Sequence, residues 1–243
     1  MGRARSVRRR LLPTLLLALA GSAAAAGVRI SPTLVQLAPG ETSTEIWLSN
    51  TQDRPWQAQV QVYRWQQTDG MEVLESTDEV RPSPQSIAIP AQGRQLLRLV
   101  RLAPAAATER AYRLVLEERA TPPDPAAPMP AAQAAPLLLR YSTPVFLPPT
   151  APAAAPRLSA HLLAGAHGPE LVVHNRGSVH ARLSDLSFIG ADGRTLPLFP
   201  SLAGYVLAGA YKRWPLPPAA AAPGGRFAAR LDDQAPLQPL PTE

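Results

Sequence analysis

Apolar and polar residues alternate most regularly between positions 56 and 65. The apolar residues of this run share one face and the glutamines share the other: Trp56, Ala58, Val60 and Val62 against Gln57, Gln59 and Gln61. Successive side chains of a strand point to opposite faces, so the run predicts a β-strand with one buried face. Shorter runs of the same period predict strands at 44–49, 86–89, 95–101 and 111–117.

The second half of the chain has the same organisation in a less regular form. Runs at 170–175, 180–189, 204–209 and 212–216 predict strands with turn residues between them. Strands follow one another at intervals of about ten residues, and no stretch has helical periodicity, which is typical of antiparallel immunoglobulin-type sandwiches. We therefore predict an all-β protein with two immunoglobulin-like β-sandwich domains.

Proline-rich segments divide the chain. Residues 120–136, ATPPDPAAPMPAAQAAP, predict a loop that cannot pair as a strand. Residues 150–156, TAPAAAP, predict a semi-rigid linker. The expected organisation is an N-terminal domain at 27–149, a linker at 150–156 and a smaller C-terminal sandwich at 157–243.

Residues 1–26 have the layout of a secretory signal peptide. Five arginines precede an apolar stretch of eleven residues at 11–21, which is too short to span a bilayer as a helix of about 20 residues. Small residues follow, and cleavage is expected between Ala26 and Gly27. No later window offers a membrane anchor. We predict a chain exported to the periplasm that does not insert into the membrane.

The basic charge of the chain belongs mainly to this N-terminal segment. The whole chain carries a net charge of +6, but without residues 1–26 it has 19 basic and 18 acidic residues, a net of +1. A nearly neutral mature chain offers no phosphate-binding field, so nucleic acid is not an expected partner. The chain contains no cysteine, which excludes a disulfide framework and thiol chemistry.

The sequence contains little catalytic chemistry. None of the nucleotide-binding, nucleophile-elbow or zinc-protease motifs occurs. His174 and His180 could approach one another across a turn and so leave a metal site conceivable, but hydrogen-bonding roles at strand ends are favoured. We expect no enzymatic activity, no cofactor and no metal.

The segment 137–143, LLLRYST, predicts an apolar strand directly after the proline-rich loop. Leu137, Leu139 and Tyr141 would share one face, with Leu138 and Arg140 on the other. Such a strand at a sheet edge is an aggregation hazard, and proteins that keep one often use it for strand addition to another chain. An ordinary core strand of the first sandwich is the alternative.

An ordered set of short motifs gives the chain a family resemblance. They are VRISPT at 28–33, LAPGE at 37–41, LSN at 48–50, RPW at 54–56, RPSP at 81–84, IPAQG at 89–93, ERAYRL at 109–114, PVF at 144–146, NRG at 175–177 with His180, and GYVLAG at 204–209. In this order, behind a signal peptide, they resemble the PapD-like periplasmic chaperones of chaperone–usher pathways. The last motifs and the Ser-Pro opening are most similar to the archaic, spore-coat-U-associated branch.

The resemblance implies two immunoglobulin-like domains in a boomerang that cradle a pilus subunit lacking its last strand. The chaperone would complete the subunit by donor-strand complementation with the last strand of its first domain. Leu137, Leu139 and Tyr141 fall where the family's inserting residues lie. The implied partners are pilus subunits and an outer-membrane usher, and the free chaperone is expected to be monomeric or weakly self-associating.

The sequence departs from the family at the site that anchors the subunit's terminal carboxylate. Alignment on the first turn and the closing proline places Leu34 and Pro144 where an arginine and a lysine stand in other members, and Pro148 where an interdomain arginine stands. Neither Leu34 nor Pro144 can bind a carboxylate, so the anchor must be absent or relocated. Arg113 is the first candidate, followed by Arg98 and Arg140.

A structural or adhesive component of a surface fibre is the alternative function. A fibre subunit should be one incomplete domain with an N-terminal donor extension. Here few residues precede the first strand and a second domain is present, which disfavours that alternative. An enzyme or metal carrier ranks third.

Overall fold

The computed structural model describes residues 27–120, 138–151, 154–232 and 235–242. The expected signal peptide at 1–26, nearly all of the expected loop at 120–136, and Leu137 lie outside these residues. The strands of the first half are β1 (Val28–Ser31), β2 (Val35–Gln36), β3 (Ser43–Asn50), β4 (Trp56–Thr68), β5 (Met71–Ser76), β6 (Val80–Ser83), β7 (Ser86–Ile89), β8 (Arg94–Arg101), β9 (Arg110–Glu118) and β10 (Arg140–Leu147). Those of the second half are β11 (Leu158–Gly165), β12 (Gly168–Asn175), β13 (Ala181–Ile189), β14 (Thr195–Val206), β15 (Tyr211–Pro215), β16 (Arg226–Arg230) and β17 (Gln238–Pro239).

The first ten strands form a sandwich of two sheets. One sheet has the order β1-β3-β8-β6, and the other has the order β2-β10-β9-β4-β5 with β7 beside the start of β4. The pairings are antiparallel except that of β10 with the short strand β2. The apolar faces of both sheets meet in one core, which contains Trp56, Val60 and Leu97 among its members.

Strand β4 confirms the predicted alternation and then changes phase. Trp56, Ala58, Val60 and Val62 are buried in the core of the sandwich, as predicted. The strand continues to Thr68, and its next large residue, Trp65, belongs to a separate apolar cluster on the opposite face of the sheet. From Trp65 onward the buried residue is therefore on the face of the sheet that turns toward the second sandwich.

The last seven strands form a second, smaller sandwich. Its sheets have the orders β11-β12-β15 and β14-β13-β16-β17, and they enclose a core that includes Leu183, Val206 and Trp214. The all-β class and the two sandwiches are thus confirmed. Strands β11 and β16 were not predicted, because their short segments lack a clean alternation of apolar and polar residues. Among the described residues the helical structure is a single 3-10 turn at Pro218–Ala221, and no helix is long and apolar enough to cross a membrane.

Strand β10 differs from the strand predicted at 137–143. In the described residues it begins at Arg140 and continues through Pro144 to Leu147. Phe146 presents its carbonyl to Leu37 N–H on the β2 side, at 3.0 Å. Residues two apart along a strand direct their backbone groups to the same side, so the ring nitrogen of Pro144 also faces that side rather than β9. The missing N–H therefore removes no bond to β9, and the strand can pass through the proline.

Two buried asparagines fix corresponding turns in the two sandwiches. Asn50 donates from Nδ2 to the carbonyls of Arg54 and Pro90, and its Oδ1 accepts from Gln52 N–H. Asn175 donates to the carbonyls of Val179 and Val206. Each amide joins the end of one strand to loops that are distant in sequence. The asparagines of the motifs LSN and NRG therefore have a structural role in holding these turns.

The oxygen of Asn175 is also fully used. It accepts hydrogen bonds from Arg157 N–H at 3.0 Å and Gly177 N–H at 2.9 Å. A side chain at Gly177 would place Cβ 2.2 Å from the Ala155 carbonyl oxygen, so only glycine fits this turn. Asn175 thereby ties the second sandwich to the segment that enters it.

Replacing Asn175 should destabilise the second sandwich strongly. Asn175→Ala leaves several buried backbone groups without partners, and we expect the free energy of unfolding to fall by about 3 kcal/mol. Urea denaturation followed by tryptophan fluorescence measures this loss. The control Gln238→Ala changes an exposed residue and should shift stability by less than about 0.5 kcal/mol. An equal, small effect of both variants would contradict this role for Asn175.

Candidate functional site

An apolar cluster joins the two sandwiches and sets the geometry of the cleft between them. Its buried members are Trp65, Ala111 and Phe146 from the first sandwich and Tyr205 and Leu207 from the second. The Trp65 and Tyr205 rings pack edge to face with centroids 5.5 Å apart, a favourable aromatic arrangement. The cluster is contiguous, so the two sandwiches share a small core at this joint.

Polar groups complete the joint beside the cluster. Gln67 donates from Nε2 to the Tyr205 carbonyl at 2.7 Å and accepts from Leu207 N–H at 2.9 Å. Glu109 lies almost fully buried, and its Oε1 is 2.8 Å from both the backbone nitrogen and the Nδ1 of His180. These contacts satisfy polar groups that close packing of the sandwiches removes from water.

His180 and His174 have different partners, so the structure gives no support to a metal site between them. The His180 ring stacks on Phe146 at a centroid distance of 3.6 Å, within the joint. His174 stacks between His161 and Tyr211 on the second sandwich. Within the described residues no group of three or more potential metal ligands occurs.

Arg113 lies on β9 at the edge of the apolar cluster. Its Cζ is 3.6 Å from the centroid of the Trp65 ring, which it covers as a cation–π pair. A terminal guanidinium nitrogen lies 3.4 Å from Oε2 of Glu72, and the side chain is only 15% exposed. Burial lowers the pKa of Arg113, while the carboxylate of Glu72 and the hydroxyl of Tyr205 oppose that shift. The group remains a cation at neutral pH, in a partly dry site.

A pocket of about 400 Å³ opens in front of Arg113 between the two sandwiches. Its lining comes from both halves of the chain: Thr33, Leu34, Arg113, Ser142, Pro144, Arg182, Leu202, Tyr205 and Asp232. Leu34 and Pro144, the two positions where an anchoring cation was expected but missing, both line this pocket. Pro144 is the direct cross-strand neighbour of Arg113. The structure therefore places a cation one strand away from the expected position.

Strand β10 leaves part of one edge open next to this pocket. It pairs with β9 along its whole length, but β2 pairs only with Val145 and Phe146. No strand of the described residues covers positions 140–144 on that side. By alternation, Arg140 and Ser142 direct their N–H and C=O groups to the open edge. Such an edge can accept another strand.

The apolar residues before β10 are exposed. Leu138 is 49% exposed and Leu139 is 39% exposed. Leu139 is nevertheless fixed through its backbone, since it exchanges hydrogen bonds with Glu118 at both its N–H and its C=O. Leu137, the other leucine of the predicted inserting face, lies outside the described residues.

Tyr141 is already partly used within the chain. Its ring packs edge to face against Trp56 with centroids 6.2 Å apart, at the margin of the first core. Its hydroxyl oxygen accepts a hydrogen bond from Val28 N–H at 3.4 Å. Tyr141 faces the interior of the sandwich, on the same side of the strand as Leu139 by alternation.

The other two candidate arginines lie elsewhere and do not line the pocket. Arg98 is on β8, in the opposite sheet, and pairs with Glu45 at 3.0 Å. Arg140 is at the start of β10 and pairs with Glu117 at 3.3 Å. Both side chains are exposed by more than half. Of the three candidates, only Arg113 lines the same pocket as Leu34 and Pro144, the positions that align with the family's anchoring cations.

A second polar cluster holds the start of β9 from the other face. The hydroxyl of Tyr112 donates to Glu79 Oε2 at 2.7 Å, and Arg64 and Arg110 both pair with the same carboxylate. Burial and the contact with Glu79 raise the pKa of Tyr112 to about 12. Partial burial of Glu79 opposes its ionisation, but these hydrogen bonds and arginines dominate and lower its pKa. The strand that carries Arg113 is thereby held in place.

Sequence reasoning missed several residues at this site. Glu72, on β5, pairs with Arg113 and also with Lys212, which lies on β15. Arg182, on β13, lines the pocket. None of the three lies in a motif, and Glu72 and Lys212 are separated by 140 residues. Tyr205, by contrast, belongs to the motif at 204–209, which is identifiable from the sequence alone, although the motif assigns no role to the tyrosine.

The fold and the cleft define a class of two-sandwich proteins with an open edge strand beside an interdomain pocket. A family model for the N-terminal domain of PapD, described as a pili and flagellar-assembly chaperone, matches residues 27–153. This chain belongs to that family of chaperones. The membership confirms the resemblance and favours an assembly chaperone over a fibre component. No curated protein matches the chain.

Solved structures of pilus chaperones share the fold. The CsuC–CsuE chaperone–tip adhesion subunit pre-assembly complex from archaic Csu pili of Acinetobacter baumannii matches with a TM-score of 0.69 and 22% identity, covering 90% of this chain and all of that one. The CupB2 chaperone of Pseudomonas aeruginosa matches with a TM-score of 0.57, 17% identity and coverage of 87% and 97%. The SafB chaperone in complex with the SafA pilin from Salmonella enterica matches with a TM-score of 0.57 and 18% identity. The match covers 88% of this chain and 94% of that one.

The amide of Gln67 should control how firmly the sandwiches are joined. Gln67→Ala removes the partners of the Tyr205 carbonyl and the Leu207 N–H, and we expect stability to fall by about 2 kcal/mol. Hydrogen exchange at the Leu207 amide should accelerate by at least about tenfold, which mass spectrometry or NMR can follow. Gln61→Ala, an exposed change on the same strand, is the control. Unchanged protection at Leu207 would show that Gln67 does not hold the joint.

Proposed function

We propose that this chain captures a pilus subunit by donating strand β10 and the residues before it. The observation that carries the proposal is the open edge at 140–144, which lies beside a pocket containing a buried cation. The backbone groups of Arg140 and Ser142 would form the ladder with the incoming subunit. Leu137, Leu139 and Tyr141 would fill its groove. The chaperone–subunit complexes from Acinetobacter baumannii and Salmonella enterica support a pilus subunit as the partner.

The energetics favour such an exchange. An exposed leucine next to an open edge is unfavourable in water, and its burial in a subunit groove would contribute roughly 1.5–3 kcal/mol. The ladder bonds replace bonds to water, so they add register and direction more than net free energy. Tyr141 contributes less than a leucine, because its ring already packs against Trp56.

Arg113 is the proposed anchor for the terminal carboxylate of the subunit. It is nearly buried, it stacks on Trp65, and it lines a pocket whose walls include the apolar residues Leu34, Pro144 and Leu202 and the charged residues Arg182 and Asp232. A charge-assisted bond is strong in such a site, because little water competes for the guanidinium. The anchor would set the register in which the subunit pairs with β10.

The rest of the assignment follows from this role. Residues 1–26 would direct the chain to the periplasm and be removed, which leaves domains at 27–149 and 157–243 joined by the linker 150–156. Delivery of the captured subunit to an outer-membrane usher is proposed from the resemblance to chaperones of chaperone–usher pathways. Subunit folding and strand exchange would supply the free energy for release, so the proposal requires neither a nucleotide nor a cofactor.

A charge on the inserting face should abolish capture. Leu139→Asp would place a carboxylate in an apolar groove, and we expect subunit affinity to fall roughly 10- to 100-fold while the chaperone still folds. Leu137→Asp combined with Leu139→Asp should remove capture completely. Pull-down of the tagged chain from the periplasm, with partners identified by mass spectrometry and then titrated, measures the effect.

The matched control for this experiment is Leu138→Asp. Leu138 is at least as exposed as Leu139 but points to the opposite face, so its substitution should change affinity by less than about threefold. Equal losses from Leu138→Asp and Leu139→Asp would rule out insertion by alternate residues. Full capture by the double variant would rule out donation of this strand.

Loss of the positive charge of Arg113 should weaken binding of the same subunit. Arg113→Gln removes the charge and keeps much of the stem, and we expect a loss of roughly 30-fold or more, since truncating one member of a buried charge pair costs about 2–5 kcal/mol. Arg98→Gln and Arg140→Gln, the other candidates, are the comparisons and should have effects below about threefold. A larger loss from either comparison would move the anchor to that residue.

A further inference from the structure

Arg113 already has a carboxylate partner within the chain. Glu72 Oε2 lies 3.4 Å from the guanidinium, and among the described residues Glu72 is the ion-pair partner of Arg113. The contact is long for a charge-assisted bond, which normally measures about 2.7–2.9 Å. In the free protein the charge of Arg113 is thus balanced by Glu72, through a long and weak ion pair.

Glu72 has a second and tighter partner from the other sandwich. Its Oε1 lies 2.7 Å from Nζ of Lys212 on β15. Both cations are largely buried, with side-chain exposures of 15% for Arg113 and 18% for Lys212. One carboxylate therefore pairs with two cations across the joint, so these three side chains carry a net charge of +1. A second carboxylate would neutralise that charge.

We propose that Glu72 is an internal competitor for the carboxylate that binds at Arg113. This inference rests on the proposed function, in which a subunit carboxylate enters the pocket lined by Leu34, Pro144 and Arg113. The incoming group would take over the guanidinium, and Glu72 would retain Lys212 alone. Glu72 would therefore set the affinity of the anchor by repelling the second carboxylate.

A competitor and a structural bridge predict opposite signs for Glu72→Gln and the same sign for Lys212→Met, so Glu72→Gln is the substitution that separates them. If Glu72 only bridges the sandwiches, Glu72→Gln and Lys212→Met both loosen the cleft, and both weaken binding. If Glu72 competes, Glu72→Gln strengthens carboxylate binding, because the repulsion is gone and the guanidinium lacks a counter-charge. Lys212→Met then weakens binding, because Glu72 has lost its better partner and turns to Arg113.

The probe for this test is N-acetyl-leucine, with N-acetyl-leucinamide as the uncharged comparison. Titration into the mature chain is followed by NMR through the methyl groups of Leu34 and Leu202, which line the pocket. From the Coulomb energy of two carboxylates that share one guanidinium near a protein surface, Glu72→Gln should bind the acid about five- to tenfold more tightly. Lys212→Met should bind it about threefold more weakly, and the amide should respond to neither change.

The control is Glu75→Gln, which makes the same charge change on the same strand. Both glutamates are exposed, but Glu75 points to the opposite face of β5, away from Arg113. Its substitution should leave affinity within about twofold, since a charge that does not contact the guanidinium is screened by solvent. An affinity for Glu72→Gln that is unchanged or lower than that of the wild type would overturn the competitor, as would tighter binding by Lys212→Met.

Arg113→Gln separates this inference from the proposed function. If Arg113→Gln binds the acid as well as the wild type does, or the acid shifts neither methyl group, the anchor itself is wrong and the competitor with it. If Arg113→Gln abolishes binding and Glu72→Gln fails to strengthen it, the anchor stands and only the competitor is overturned.

Discussion

The packing of Trp65 and Phe146 against Tyr205 and Leu207 is the contact on which the cleft depends. Without it the contacts between the sandwiches within the described residues would be mainly polar, and a pocket lined from both halves would have no fixed shape. The same contact also provides the surface on which the Arg113 guanidinium lies. A long cationic side chain loses conformational entropy when it binds a ligand, and stacking on a fixed ring removes most of that freedom in advance. The apolar joint therefore also supports Arg113, the proposed anchor.

The open edge of β10 is a compromise between stability and function. A longer exposed edge with alternating large apolar residues would invite self-association. Here β2 covers the end of the strand, Pro144 removes one donor, and Arg140 places a charge at the start. The uncovered part is short, and its neighbours Leu138 and Leu139 supply the apolar surface. These features limit unselective strand pairing, while the edge stays open for the proposed pairing with a subunit whose carboxylate fits Arg113.

The sequence predicts those parts of the fold that local patterning controls. Strand β7 matches its predicted bounds, and β4 has the predicted buried face. The extension of β4 to Thr68 was missed, because Trp65 breaks the alternation in order to reach the second sandwich. The continuation of β10 through Pro144 was missed because a proline normally ends a strand, and only the position of the strand at an edge permits it. In both cases the decisive contact is with a residue distant in sequence.

The site divides in the same way. Arg113 could be proposed because it lies in a motif, but Glu72 and Lys212 could not, since only the packing of the sandwiches brings them together. The register of β9 and β10 explains why the cation can leave its expected strand. Pro144 and Arg113 are direct cross-strand neighbours, and such neighbours have their Cβ atoms about 5 Å apart on one face. A cation moved to β9 therefore stays within reach of the same pocket, while Leu34 and Pro144 become apolar walls that exclude water. Lower hydration strengthens the bond of Arg113 to any carboxylate, and Glu72, 3.4 Å away, is the carboxylate that the chain itself places there.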